Sequence, residues 1–423
     1  MKIHIQNGLL VNPESNTQAI TDIYIDNQLI TAVGEQPQSF TADLTIDAKD
    51  KVVIPGLVDV QCRVRQPGYT HKANISSETN AAALNGITTL CVPPDSLPVN
   101  DNTAVVELIH HTNQKAGNRC HIYTIGALTK GLSGEHLSNM GTLKKAGCIA
   151  LSNCLHPFIN NMVQRRAMEY AAGQNIPVVI QPYDQALYSD GCAHEGMIAT
   201  RLGLPPIPEA AETAALAKDI ELVAQTGAQT HFGQLSCARS VDMVRQAKKD
   251  GLAVSADVSI HQLLLTERDL DYFDSNKSTI PPLRSEQDRQ ALLEGVRDGT
   301  INCICSDHQP HNLDAKLQPF PSAEPGISGL DTLLPLLFKL ADQGDLDLQQ
   351  AIAACTINPA KIFALPAGQI AAGELADIVI VDHQCHYTCK SDDFLSAGKN
   401  TAFQGWDFTA KSVKTIVAGK IIE

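Results

Sequence analysis

The chain has 423 residues, which suffices for one large barrel with a smaller appended layer or for two to three ordinary domains. With 43% hydrophobic and 18% charged residues it is expected to be globular and soluble, not disordered or fibrous. A formal net charge of −14 argues against a nucleic-acid-binding surface, which needs clustered basic residues. The first residues lack the apolar core of a signal peptide and no eighteen-residue apolar run occurs, so we expect a cytoplasmic protein without a membrane span.

The two ends of the chain are predicted to be rich in short strands and to lack long amphipathic helices. The N-terminal runs are separated by turn signals at Asn7-Gly8 and Asn12-Pro13. Residues 1–54 and 366–423 are therefore predicted to form one composite β-sandwich domain. The apolar runs are Ile3–Ile5, Ile23–Ile25, Val52–Ile54, Ile378–Val381 and Thr415–Val417.

Residues 55–365 show short apolar strands alternating with helical segments such as Glu209–Gln225 and Ser285–Arg297, the second with Ser285 as its N-cap. Eight such units predict an α/β fold, a (β/α)₈ TIM barrel, and disfavour a doubly wound sheet. Functional residues of such barrels lie at the C-terminal ends of the strands. The predicted strands are Leu57–Val60, Thr88–Val92, His121–Ile125, Ile149–Leu151, Val178–Ile180, Gln229–Phe232, Ala253–Asp257 and Cys303–Ser306.

Several motifs follow these strands in order. The first strand leads into Asp59-Val60-Gln61-Cys62-Arg63-Val64-Arg65-Gln66-Pro67-Gly68, and later segments read Pro94-Asp95-Ser96-Leu97-Pro98, Pro281-Pro282-Leu283-Arg284 and Ser306-Asp307-His308-Gln309-Pro310-His311. Together they resemble the dihydroorotases of the amidohydrolase superfamily, whose first strand carries Asp-x-His-x-His-x-Arg-Glu-Pro-Gly. Gly368 to Asp382 resembles the closing strand segment of that family. The resemblance extends over nearly the whole chain and implies a zinc-dependent barrel hydrolase as ancestor.

The family's metal-ligand positions, carried over by this resemblance, are mostly occupied by residues that do not bind zinc. The family's histidine pair on strand one, its carboxylate after strand four and its histidines after strands five and six are replaced here. Only the aspartate after strand eight survives, as Asp307. The replaced positions are Gln61, Arg63, Asn153, Gln181 and Gln234.

Zinc prefers imidazole, thiolate or carboxylate ligands, whereas a carboxamide offers a neutral oxygen and a guanidinium offers no lone pair. A permanent charge on Arg63 about 4 Å from a divalent cation would repel it by roughly 8 kcal/mol at an effective dielectric of about 20. We therefore expect no metal, no other cofactor and no catalytic residues. Arg63 is expected to pair with Asp307 or Asp95, filling the place of the cation.

Some substrate-side features of the family persist. Arg65 matches its carboxylate-binding arginine, but the companion asparagine is Asp95, whose charge opposes an anionic ligand. His311 is a third candidate contact, so the resemblance implies at most a vestigial pocket. His156 and His261 fall near strand ends, where each either lines the mouth or has a structural role.

The twelve cysteines include no CxxC pair and several lie in strand-like runs, so free buried thiols are expected. His383, Cys385, His386 and Cys389 are capable of binding metal, yet their spacing matches no structural zinc pattern, and the sequence leaves this cluster open.

Three functions remain open. The resemblance implies first a catalytically inactive subunit that supports assembly of aspartate transcarbamoylase in pyrimidine biosynthesis, with the catalytic chain of that enzyme as partner and with homo-oligomer contacts. The second is an active cyclic amidohydrolase of dihydroorotase, hydantoinase or allantoinase type. The third is a sensor that binds a small ligand through Arg65 without turnover.

Overall fold

Strands from both ends of the chain form one mixed sheet in the computed structural model, which describes residues 1–423. Its eight strands enclose a small apolar core of their own, which includes Ile3, Ile25, Val53 and Ile416. The sheet is thus assembled from segments that are more than 300 residues apart in the chain. The strands are Lys2–Asn12, Thr17–Asp26, Leu29–Val33, Leu44–Asp47, Val52–Pro55, Ile378–Asp382, Lys411–Val417 and Lys420–Ile422.

The turn predicted at Asn7-Gly8 is wrong, because the first strand continues through it as a β-bulge. Asn7 has a φ of 63°, and the pairing with the second strand shifts register between Ile5 and Gly8. A Cβ on Gly8 would lie 2.5 Å from Cγ2 of Val53, so the strands approach closely there. The same left-handed preference that makes Asn-Gly a turn signal also suits a bulge.

Eight parallel strands form the barrel, which confirms the predicted (β/α)₈ fold. Every predicted barrel strand is present, with ends that differ by at most two residues. A parallel bridge between Cys62 and His308, just beyond the first and eighth strands, brings the two edges together. The barrel strands are Leu57–Asp59, Ile87–Val92, His121–Ala127, Ala150–Ser152, Val178–Ile180, Thr230–Phe232, Val254–Ser259 and Cys303–Cys305.

Helices alternate with these strands, and the predicted cap at Ser285 is confirmed. The Ser285 side chain accepts a hydrogen bond from the Asp288 backbone, and Asp288 reciprocates. None of the helices is long and apolar enough to span a bilayer. The helices are Ile75–Leu84, Thr103–Lys115, Met140–Lys145, Asn161–Gly173, Gln185–Tyr188, Met197–Leu202, Ala210–Thr226, Ala238–Lys249, Glu286–Arg297, Leu313–Lys316, Leu333–Asp342, Leu348–Ala354 and Ile357–Phe363.

Two further sheets, each of two short strands, lie in the loops. Ala193–His194 pairs with Pro206–Ile207 after strand five, and Tyr387–Thr388 pairs with Asp407–Phe408 near the C-terminus. All twelve cysteines are free thiols and nine of them are buried, as their positions in apolar runs indicated.

Candidate functional site

Arg63 lies at the seam where the barrel closes. Its backbone N–H donates to the carbonyl of His308 over 3.0 Å, and the His308 N–H donates to the carbonyl of Gln61 over 3.2 Å. This short ladder fixes the end of strand one beside the residue that follows strand eight. Gln61 is 9% exposed and lies two positions before Arg63, the alternation expected along an extended segment.

The Arg63 guanidinium joins two carboxylates; the sequence predicts pairing with Asp307 or Asp95, and the structure shows both contacts. Nε lies 2.6 Å from an Asp95 oxygen, and Nη1 lies 3.5 Å from Oδ1 of Asp307. The Arg63 side chain is only 7% exposed. Burial disfavours a charged Asp95, but the neighbouring guanidinium holds the pKa of that carboxyl below its usual value. The barrel mouth thus contains a cation supplied by the protein.

Asp307 is the centre of this cluster. Its Oδ1 accepts hydrogen bonds from Gln234 Nε2 and, over 3.1 Å, from Gln309 Nε2, in addition to the Arg63 contact. Burial raises the pKa of Asp307 to about 7, against the lowering effect of Arg63. Oδ2 is buried without a hydrogen-bond partner. Asp307 and Gln234 each stand two residues beyond their strand and share a left-handed backbone, with φ of 46° and 57°.

The loops after strands one and two meet closely, which brings Asp95 to Arg63. Gly68 has a φ of 102°, and a Cβ there would lie 2.4 Å from the carbonyl oxygen of Leu97. Only glycine permits both this conformation and this approach.

Asn153 and Gln181 occupy the opposite part of the mouth and do not reach the Arg63 cluster through any hydrogen bond. Asn153 Oδ1 accepts from the Thr129 backbone at 3.3 Å and from its hydroxyl at 2.8 Å, while Nδ2 donates to the carbonyl of His156 over 3.0 Å. Gln181 Nε2 lies 3.5 Å from the Ile280 carbonyl. Both side chains line a cavity of about 260 Å³, together with the exposed His156.

The residues at the mouth do not fit a zinc centre. Four of the six carried-over positions present amides and one presents a guanidinium, so a single carboxylate, Asp307, has ligand chemistry suited to zinc. That carboxylate already accepts from Arg63, Gln234 and Gln309. The buried positive charge of Arg63 beside it would oppose a divalent ion.

Arg65 and His311, two of the predicted substrate-side residues, lie together. Arg65 Nε donates to the Pro310 carbonyl over 3.1 Å, and its Nη2 lies 3.4 Å from His311 Nε2. Burial and the neighbouring Arg65 guanidinium lower the pKa of His311 to about 2. Asp95, the third predicted residue, faces Arg63, as its 2.6 Å contact shows. Two of the three guanidinium nitrogens of Arg65, Nε and Nη2, therefore contact protein atoms.

Several polar contacts near the mouth were not predicted. His308 lies 2.8 Å from Glu78 through Nε2, and its Nδ1 accepts from the Gly329 N–H over 3.1 Å. Glu78 belongs to the helix Ile75–Leu84, and no local signal in the sequence marks it as buried. His261 is 1% exposed, and both of its ring nitrogens lack a partner. Burial lowers the pKa of His261 to about 3.

His194, Glu209 and Asp288 form the one group of three whose ligand atoms come within 4.8 Å of one another. Arg284 donates to His194 Nδ1 over 3.1 Å, and Asp288 accepts the Ala238 N–H over 2.8 Å. A guanidinium and two helix N-termini surround this group and disfavour a cation. No three of the four side chains His383, Cys385, His386 and Cys389 come together in this way.

Comparisons with known proteins identify the class. The dihydro-orotase-like family model matches residues 50–240, and the amidohydrolase family model matches residues 163–422. The chain is 44% and 42% identical to proteins named dihydroorotase-like protein from Pseudomonas aeruginosa and Pseudomonas putida. In both cases 100% of this chain and 99% of the relative are covered. It is also 38% identical, with the same coverage, to a protein named dihydroorotase from Syntrophotalea carbinolica. The chain therefore belongs to the amidohydrolase family and, within it, to the dihydroorotase-like proteins.

Solved structures support the fold. The L-hydantoinase of Arthrobacter aurescens superimposes with a TM-score of 0.89 at 22% identity, over 99% of this chain and 95% of that one. The D-hydantoinase of a Thermus species gives a TM-score of 0.85 at 21% identity, over 99% and 94% of the two chains. At this identity the likeness concerns the fold alone.

Proposed function

We propose that this chain is a catalytically inactive dihydroorotase homologue that acts as a structural subunit of aspartate transcarbamoylase, in the cytoplasm, supporting its assembly for pyrimidine biosynthesis. The observation that carries the loss of activity is the buried Arg63, joined to Asp95 and Asp307 where the family binds its metal.

The chemistry of the mouth supports this proposal. Hydrolysis of a cyclic amide requires a nucleophilic water and polarisation of the carbonyl, which the family obtains from its metal ions. Here the single surviving carboxylate, Asp307, accepts hydrogen bonds from Arg63, Gln234 and Gln309 on one oxygen. The amides that surround it neither lower the pKa of a water molecule nor exchange protons near neutral pH.

The partner is inferred from the family resemblance, since fold alone does not name a function. Its support is that the relationship to dihydroorotase-like proteins extends over 100% of the chain, so that the barrel and the terminal sheet are kept together. Retention of the whole fold around a mouth that does not fit a metal is what a structural role would require.

The test is co-expression with the aspartate transcarbamoylase catalytic chain of the same genome. We expect the two chains to co-purify in a fixed ratio, and carbamoyl transfer to be lost or to decline when this chain is omitted. A transcarbamoylase that is fully active and correctly assembled alone would refute the structural role.

A second measurement tests inactivity separately. The purified chain, grown with added zinc, is assayed with dihydroorotate and with carbamoyl aspartate, and its zinc content is determined. We expect no turnover above the rate of the Asp307→Asn variant and less than one tenth of an equivalent of zinc. Stoichiometric zinc with turnover that Asp307→Asn abolishes would instead establish an active amidohydrolase.

A further inference from the structure

Three loop segments on the face of the barrel mouth expose large apolar side chains. They are the helix Met197–Leu202 after strand five, the 3₁₀ helix Glu267–Phe273 after strand seven and the helix Leu313–Lys316 after strand eight. The five side chains that we call the mouth ridge are Met197, Tyr272, Phe273, Leu313 and Leu317, with exposures of 85%, 96%, 48%, 73% and 67%.

These three segments contact one another in sequence. The helix that begins at Met197 packs against the segment that ends at Phe273, and an Arg201–Asp271 ion pair joins them. On the other side, Lys316 Nζ donates to the Ser275 carbonyl over 3.1 Å, which ties the helix of Leu313 to the turn after Phe273. At about 150–200 Å² for each fully exposed large side chain, the five side chains together expose on the order of 600 Å² of largely apolar surface.

The backbone conformation of Tyr272 and Phe273 supports a role for these residues in binding another protein. Tyr272 and Phe273 have φ of 68° and 55°, a left-handed conformation that bulky residues rarely adopt. Strained residues persist where they serve a function, and an aromatic ring held in solvent contributes nothing to the core. Tyrosine, phenylalanine and methionine are also the residue types enriched at protein interfaces.

The charges around the ridge restrict its occupant. Residues 195–202, 267–277 and 313–317 contain six acidic and four basic residues, and one of the basic residues, Lys316, is buried. Arg201 and Lys277 pair with Asp271 and Asp274, which leaves four acidic residues against Arg268 and the buried Lys316. Because the whole chain also carries a net charge of −14, a second copy or an anionic membrane would meet like charge.

We propose that the mouth ridge is a protein-docking surface whose occupant is an apolar patch rimmed by basic side chains on the partner subunit. This inference rests on the proposed function for the existence of that partner and adds where and how it binds. The apolar side chains of the ridge would be buried against the partner and contribute most of the binding energy. The acidic residues around them would orient the partner and make its binding sensitive to salt.

The test compares two triple variants in full-length chains co-expressed with the transcarbamoylase catalytic chain. The ridge variant carries Met197→Ser, Tyr272→Ser and Leu313→Ser. The matched control carries Ile20→Ser, Leu108→Ser and Val413→Ser, which lie on the terminal sheet and an outer helix with exposures of 75%, 45% and 50%. Because all six side chains are exposed, we expect both variants to melt within a few degrees of the unaltered chain.

Affinity for the transcarbamoylase is measured at low and at high salt. The ridge variant should bind at least about 30-fold more weakly and the control within about threefold of the unaltered chain. Raising the salt should weaken binding of the unaltered chain. An unaltered chain that does not associate overturns the proposed function and this inference together. Association that the ridge variant keeps, or an oligomer of this chain alone that the ridge variant dissolves, overturns only the ridge.

Discussion

The two sides of the barrel mouth differ in how the residues at the predicted ligand positions are bonded. On the side of strands one, two, six and eight, Arg63, Asp95, Gln234 and Asp307 bond to one another and form a closed ionic cluster. On the side of strands four and five, the amide of Asn153 holds a neighbouring loop and leaves a cavity. The guanidinium of Arg63 therefore joins two carboxylates on one side, while on the other the amide of Asn153 serves local structure.

The largest effect should come from breaking the ionic cluster. Arg63→Ala leaves the buried Asp307 and the partly buried Asp95 without their shared cation, and we expect it to lower the free energy of unfolding by about 3–5 kcal/mol. Urea denaturation measures this. Lys361→Ala is the control, because it removes an exposed pair with Glu14 and should cost less than about 1 kcal/mol. Equal losses in the two variants would mean that Arg63 does not organise the mouth.

Asn153→Ala should have the next largest effect, on the other side of the mouth. It leaves the Thr129 N–H and hydroxyl and the His156 carbonyl without their partner, and Thr129 is fully buried. We expect a loss of about 2–3 kcal/mol in the free energy of unfolding. The double variant with Thr129→Val should lose less than the sum of the two single losses, because the two residues share a hydrogen bond. Additive losses would show that the contact is energetically unimportant.

Side-chain contacts between residues far apart in the chain are what the sequence could not predict. The barrel strands were predicted because each is a local apolar run, and the cap at Ser285 because its partner lies three residues away. The predicted pairing of Arg63 with Asp307 or Asp95 followed from placing known motifs at strand ends. Asn153 instead contacts Thr129 across 24 residues, and Glu78 contacts His308 across 230. Neither choice of partner is encoded in local spacing.

His261 lies just beyond strand seven, on the side of the mouth that holds the ionic cluster, and its buried ring should make the stability of the protein depend on pH. Its pKa is lowered from 6.5 to about 3 by burial, so the unfolded chain binds a proton below pH 6.5 that the folded chain does not. The stability due to neutral His261 is thus present above pH 6.5 and is lost as pH falls towards 3. His261→Leu should reduce the loss of unfolding free energy between pH 7.5 and pH 5 by about 2 kcal/mol. Chemical denaturation at both pH values measures this, and the exposed His71→Leu serves as control. An unchanged difference in the His261 variant would show that the ring is solvated.

The smallest effect should come from substituting Gln181. Gln181 and Gln234 are the same residue type on opposite sides of the mouth, so the two sides can be compared directly. Gln181 is half-buried with one contact of 3.5 Å, whereas Gln234 is 3% exposed and donates to Asp307. We expect Gln181→Ala to cost less than about 1 kcal/mol of unfolding free energy and Gln234→Ala about 1–2 kcal/mol. The two substitutions remove the same atoms, so a difference between them reports the bond to Asp307 together with the tighter packing of Gln234. Equal costs would mean that the contact of Gln234 with Asp307 adds nothing measurable, and Asp307 would then depend on Arg63 and Gln309 alone.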